Sequence, residues 1–291
     1  MHNFKYGVHV LTWASEMRNE SLDYLSELKR IGYDGCEIPL IESELNLVDP
    51  KYIREKLQDL EMGCVTSTGI NEKMSIVSED KGIREKGINH LKKCIDITQE
   101  IGSNLLTGAL YAPVGINPKA KRTAEQWKRS IDSLRVVADY ADLKGISLAL
   151  EPLNRYETYF INIADDAIKL IEEIGKRNVK LHLDVYHMNI EEKNIYKVIK
   201  NANNLVGHIH CAENDRGTPG TGHTDWDGLI KGLIEINYNG WLVVETFFSV
   251  IDSISAVTPI WRQLAPSPSI FITEGFKFLK NKVDQINKSL C

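Results

Sequence analysis

The sequence has no run approaching the roughly 18 consecutive apolar residues of a membrane span, so no membrane segment is predicted. It has no excess of positive charge. Lys and Arg total 35 against 40 Asp and Glu, and the formal net charge of −5 has the wrong sign for a general nucleic-acid surface. It also lacks a CxxC pair: Cys36, Cys64, Cys94, Cys211 and Cys291 are scattered and odd in number, which excludes a disulfide framework and a thiolate-held zinc. Reduced thiols and a start without a signal-peptide core predict a cytoplasmic protein. No Gly-x-Gly-x-x-Gly follows the first strand-like segment, which counts against a dinucleotide-binding sheet. No Gly-rich helix start that would cradle a phosphate is evident either. Linkers and low-complexity stretches are missing, so residues 1–291 read as one domain.

What is present is a repeated unit. Strand-like runs at Tyr6–Leu11, Gly35–Pro39, Cys64–Thr68 and Asn104–Leu110 alternate with helical patterns at Glu20–Ile31, from Asp49-Pro50 to near Gly63, at Asp80–Ile101 and at Thr123–Leu143. Asp before Pro is a helix start, because Asp caps and Pro needs no amide partner. Glycines at 32, 63, 102 and 145 read as helix stops that introduce the next strand. Four further strands follow, with helices near Asp165–Ile174, Ile195–Asn201, Trp226–Ile236 and Ile270–Ile286. Eight strand–helix units in 291 residues predict an α/β fold, a single-domain (β/α)8 TIM barrel.

The last four strands carry the chemistry. Ser147-Leu-Ala-Leu-Glu151, Lys180-Leu-His-Leu-Asp184, Val206-Gly-His-Ile-His210 and Trp241-Leu-Val-Val-Glu245 are each apolar, and each ends in a carboxylate or an imidazole. Parallel strands of a closed barrel present their C-terminal ends at one rim, so residues 33, 26 and 35 apart can converge there. Three carboxylates and one imidazole suit a divalent cation such as Mn2+, Co2+ or Mg2+. Side chains alternate along a strand. His182 therefore shares a face with Asp184, and His208 with His210; these deeper histidines are expected to be packed, hydrogen-bonded barrel residues. His187 lies just past strand six. Arg216 sits in a Gly/Pro/Thr-rich loop after strand seven, where a lid is expected and where a guanidinium can polarise a carbonyl. His9, His90 and His223 offer nothing comparable in the sequence.

Leu150-Glu-Pro-Leu-Asn-Arg-Tyr-Glu157, Leu183-Asp-Val-Tyr-His-Met-Asn-Ile-Glu-Glu192, Gly207-His-Ile-His210, Asn214-Asp-Arg-Gly-Thr-Pro-Gly-Thr-Gly222 and Ile260-Trp-Arg262 resemble the xylose-isomerase-like sugar isomerase/epimerase barrels. Within that group they most resemble the ketose 3-epimerases. The resemblance implies that Glu151, Asp184, His210 and Glu245 are metal ligands, and that Glu157, His187 and Arg216 contact substrate. It implies interconversion of C3 epimers of a free ketose: D-fructose/D-allulose, D-tagatose/D-sorbose or L-ribulose/L-xylulose. Pro39 and Ala112-Pro113-Val114 depart from the family's pattern, at the end of the pocket that reads the sugar.

Epimerisation needs a base on each face of a planar enediolate, and Glu151 and Glu245 are assigned to those two roles. Tyr6, Trp13, Tyr111, Phe247 and Phe248 fall at or near strand ends and are candidates for the apolar wall that a sugar's C–H faces require. The apolar segment Thr246–Pro268 is expected to cover the site or to pack against a second copy in a homodimer or homotetramer. Aldose–ketose isomerisation, or proton transfer on hydroxypyruvate, would use the same groups. A sugar-binding barrel is the non-enzymatic reading. An abasic-site endonuclease of this barrel type would need more rim histidines and a basic groove.

Overall fold

The computed structural model describes residues 3–116, 118, 120–248, 260 and 262–290. Eight strands close in chain order into a parallel barrel: β1 (Lys5–His9), β2 (Gly35–Pro39), β3 (Gly63–Ser67), β4 (Leu105–Gly108), β5 (Ser147–Leu150), β6 (Val179–Asp184), β7 (Val206–Cys211) and β8 (Trp241–Val244). Closure is made by β1 on β8, with Tyr6 opposite Leu242 and Val8 opposite Val244. The helices around it are α1 (Leu25–Ile31), α2 (Pro50–Asp59), α3 (Lys81–Ile101), α4 (Ala124–Leu143), α5 (Ala164–Ile174), α6 (Val185–Glu191), α7 (Ile195–Ala202), α8 (Trp226–Glu235) and α9 (Pro268–Leu290).

The predicted start signals act as expected. The Asp49 side chain accepts from the amides of Lys51 and Tyr52 with Pro50 in the first helical position, Asp80 accepts from Ile83, and Thr123 forms a reciprocal box with Gln126. Three expectations change. The first helix begins only at Leu25, because Asn19–Tyr24 winds as a tighter 3-10 turn. Gly63 is not a helix stop: Glu61 takes the left-handed conformation, and Gly63 opens β3. The helix α6 follows β6 directly and was not predicted from the sequence.

The barrel interior is sorted by height. Val65, Leu105, Ala149, Trp241 and Val243 form a separate apolar cluster inside it. The Trp241 indole lies across β2 and β3 at this end, where a Cβ on Gly35 would come within 2.6 Å of the ring and 2.1 Å of the Gly63 carbonyl oxygen. This plug closes the N-terminal end. Above it the inward positions turn polar, with Thr107, His182, His208 and Glu37 all buried. The opposite, C-terminal end opens into a cavity.

Candidate active site

The cavity, of about 520 Å3, is lined by side chains from all round the rim, including His9, Glu37, Glu151, Glu157, His187, His210, Arg216 and Glu245. Its apolar wall comes from Leu11, Ile41, Ile70, Val114, Leu153 and Phe247, and Pro39 lies on the same wall. A mostly apolar concavity with a few converging polar groups is the usual form of a small-molecule site.

His210 is the centre of the polar cluster. Its Nδ1 lies 3.4 Å from Glu245 Oε2, 4.0 Å from Glu151 Oε1 and 4.0 Å from Asp184 Oδ2. Ligand atoms of Glu151, Asp184 and His210 all fall within 4.8 Å of one another, and Glu245 joins them through His210. The His210 Nδ1 is buried and has no hydrogen-bond partner. A buried imidazole nitrogen without a partner, facing three carboxylates, is what a divalent cation with O/N ligands requires, so the donor set fits such an ion.

Asp184 divides its two oxygens. Oδ1 accepts the Tyr186 amide at 2.8 Å and caps α6, while Oδ2 accepts from Arg216 Nη1 at 2.9 Å. That capping role explains the extra helix: its start signal is the site carboxylate itself. Arg216 also bonds Glu245 Oε2 through the same nitrogen. Its guanidinium lies 4.3 Å from the Tyr186 ring centroid and 5.3 Å from that of Phe247. Its backbone is left-handed, φ 67°, and its carbonyl accepts the Thr246 hydroxyl at 2.6 Å. The loop that carries it is organised by the buried Glu213 carboxylate, which accepts from the amides of Gly220 and Thr224 and from the Trp226 indole.

His187 and Glu157 share Asn154. The Asn154 side-chain amide donates to Glu157 Oε1 at 2.8 Å, and its backbone amide donates to His187 Nδ1 at 3.2 Å. Nδ1 of His187 is thus an acceptor, and its Nε2 lies 3.4 Å from Arg216 Nη2, 3.7 Å from Asp184 Oδ2 and 3.8 Å from Glu151 Oε1.

The chain matches the family model described as Xylose isomerase-like TIM barrel over residues 25–265. The chain belongs to the xylose isomerase-like TIM-barrel family. Among curated members of known name, it is 31% identical to an L-ribulose 3-epimerase of Mesorhizobium japonicum, over 97% of this chain and 98% of the relative. It is 28% identical to a D-psicose 3-epimerase of Agrobacterium fabrum, over 91% and 93%. A crystal structure of the Methylomonas sp. D-allulose 3-epimerase in complex with D-allulose superposes with a TM-score of 0.91 at 30% identity, covering 97% of this chain and 98% of that one.

In this xylose isomerase-like barrel four of the five predicted pocket aromatics stand off the cavity. Tyr6 points outward against Phe276 of α9, with ring centroids 5.5 Å apart, because inward His9 puts Gly7 inward and Tyr6 outward on the same strand. Trp13 donates to the Ser21 carbonyl and packs on Tyr24. Tyr111 is fully buried on Phe160 and donates to the Glu151 carbonyl at 2.9 Å, so it steadies the end of β5 from behind. Phe247 does line the cavity, whereas Phe248 packs on Phe271. Conversely, two buried titratable residues of the cavity were passed over. His9 ends β1 and accepts the Leu11 amide on Nδ1, so its Nε2–H faces Ser67 Oγ at 3.3 Å and the carboxylates of Glu37 at 3.7 Å and Glu245 at 3.9 Å. Glu37, near the end of β2, lies within 2.7 Å and 2.9 Å of the Nε2 atoms of His208 and His210. The signal that marked the later strands, a titratable residue near the end of an apolar run, was there for both.

The environments push these groups apart. Burial raises Glu151 well above the usual carboxylate range, with Asp184 and Glu245 adding to it against His210 and Arg216. For Glu245, burial is outweighed by His210 and Arg216, and its pKa falls below the ordinary value. Burial disfavours charge on His210, but Glu37 and Glu245 outweigh it and hold its pKa well above the usual one. Glu157 is raised by burial to about 7, against the pull of Arg216 and Asn154. A pair of carboxylates held in opposite directions can serve as acid and base at one pH.

Proposed function

We propose that the protein is a metal-dependent ketose 3-epimerase acting on free ketoses. The observation that carries this reading is the pairing of Glu151 and Glu245: two carboxylates from β5 and β8, with β6 and β7 between them, converging on the same imidazole nitrogen. The C3 proton of a ketose lies beside the C2 carbonyl, so its removal leaves an enediolate. One of the two glutamates removes that proton, and the other, protonated, returns one to the opposite face; in the reverse direction they exchange roles. Glu151, Asp184, His210 and Glu245 would hold the cation, whose chemistry when bound is Lewis-acid stabilisation of the developing negative charge, worth several kcal/mol. Mn2+ or Co2+ suits the O/N set, with Mg2+ as a third option. Arg216 and His187 assist at the sugar's carbonyl end, and Glu157 orients hydroxyls.

The relatives' names support D-fructose/D-allulose and L-ribulose/L-xylulose as pairs to test, with D-tagatose/D-sorbose beside them. A relative from Escherichia coli named 3-dehydro-D-guloside 4-epimerase is 29% identical over 77% of this chain, which makes the position of the exchanged proton worth measuring directly. Incubation of each ketose in D2O, read by NMR, should place deuterium at C3. Deuterium confined to C1 would instead indicate aldose–ketose isomerisation, at C4 a 4-epimerase, and bound sugar without exchange a binding protein. The scattered, odd-numbered cysteines support a cytoplasmic location. The apolar composition of Thr246–Pro268 supports a homodimer or homotetramer; most of that segment lies outside the described residues.

A further inference from the structure

Glu37 is fully buried beneath the rim, and its partners are unusual for a buried carboxylate. Among the described residues no Lys or Arg pairs with it; the groups that face it are the imidazoles of His9, His208 and His210. One oxygen, Oε2, takes the Nε2 atoms of both His208 and His210, two residues of the same strand pointing inward together. Withdrawing a carboxylate from water costs several kcal/mol unless its partners compensate, so a purely structural role for it is expensive.

The geometry points to Glu37 as the positioning residue of the metal-binding histidine. The inference rests on the reading that Glu151, Asp184, His210 and Glu245 hold a divalent cation. A neutral imidazole carries one N–H, and only the nitrogen without it can ligate a metal. At His210 two carboxylates compete for that hydrogen: Glu37 Oε2 at 2.9 Å from Nε2, and Glu245 Oε2 at 3.4 Å from Nδ1. In the neutral ring that ligation requires, Glu37 keeps the hydrogen on Nε2, and the Nδ1 lone pair faces the site. Without it, Nδ1–H would bond Glu245, removing one ligand and tying up another. Fixing the ring through its second nitrogen also fixes the direction of the lone pair.

The test is Mn2+ affinity, measured on metal-stripped protein by calorimetry and by loss of the free Mn2+ EPR signal; neither readout requires turnover. Glu37→Gln keeps the size and removes the charged acceptor. It should weaken Mn2+ binding about 10- to 100-fold, with a melting curve in EDTA close to wild type. His208→Asn removes the other partner of the same oxygen and should weaken binding far less. Loss below tenfold in folded Glu37→Gln would overturn the assignment, as would an equal loss in His208→Asn, which would make the whole layer's packing responsible. Should Glu37→Gln fail to fold, Glu37→Asp, one methylene short of His210, carries the same test with an expected loss of about tenfold, and unchanged affinity overturns it. Wild-type protein that takes up no Mn2+ would end this inference together with the metal reading. C3 exchange assayed in EDTA would then show separately whether the enzymatic reading survives.

Discussion

Arg216 and Asp184 meet inside the cavity through Nη1 and Oδ2, 2.9 Å apart, one from the loop after β7 and the other from the end of β6. The same guanidinium nitrogen bonds Glu245, so one cation neutralises two carboxylates of the proposed metal set. Removing it from metal-free protein leaves those carboxylates without their counter-charge. We expect Arg216→Ala to destabilise the protein in EDTA by up to about 3 kcal/mol, with much of the loss recovered on adding Mn2+. Urea unfolding with and without the ion checks this, and equal stability in EDTA would refute it.

Chelation should abolish activity, and Mn2+ or Co2+ should restore it, since the donor set is carboxylate and imidazole. The check is epimerisation of a ketose before and after dialysis against EDTA, with metal content followed by elemental analysis. Full activity in demonstrably metal-free protein would remove the metal from the reaction.

Glu151→Gln and Glu245→Gln should each lower turnover by roughly 10²- to 10⁴-fold, the usual contribution of a positioned acid or base. Gln retains an oxygen that can still ligate, so Mn2+ affinity should fall less than turnover. If either variant epimerises within a few fold of wild type, that glutamate is not a base for C3.

Glu157 provides a pH dependence that a single variant isolates. Its pKa rises from the ordinary 4.5 in the unfolded chain to about 7 in the fold, so the native state binds the extra proton between those values. Stability from this group is fully present below about 4.5 and is lost as pH rises through about 7. The difference corresponds to at most about 3 kcal/mol. Glu157→Gln, which has no proton to lose, should therefore gain stability relative to wild type as pH rises from 5 to 8 in EDTA. A melting-temperature difference that stays flat across this range would contradict the assignment.

The pattern along the chain was enough to define the barrel, because its signals are local. Asp49, Asp80 and Thr123 cap the helices they precede, and Gly32 and Gly102 take the left-handed conformation that closes α1 and α3. The rim position of Glu151, Asp184, His210 and Glu245 was legible for a similar reason: a polar residue ending an apolar strand has one place to go in a parallel barrel. Closure of the barrel decided the rest. Glu37 reaches His210 across 173 positions of sequence, and that meeting depends on the register of strands separated in the ring by β1 and β8. The hydrogen-bond partners of His9, His187 and His210, which decide where each imidazole carries its proton, come from loops and strands folded against them. The outward turn of Tyr6 follows from side-chain alternation, but it shows only once His9 is known to face inward. Local propensity determined where strands and helices lie; which side chains meet, and in which protonation state, was decided by three-dimensional packing around a buried polar layer.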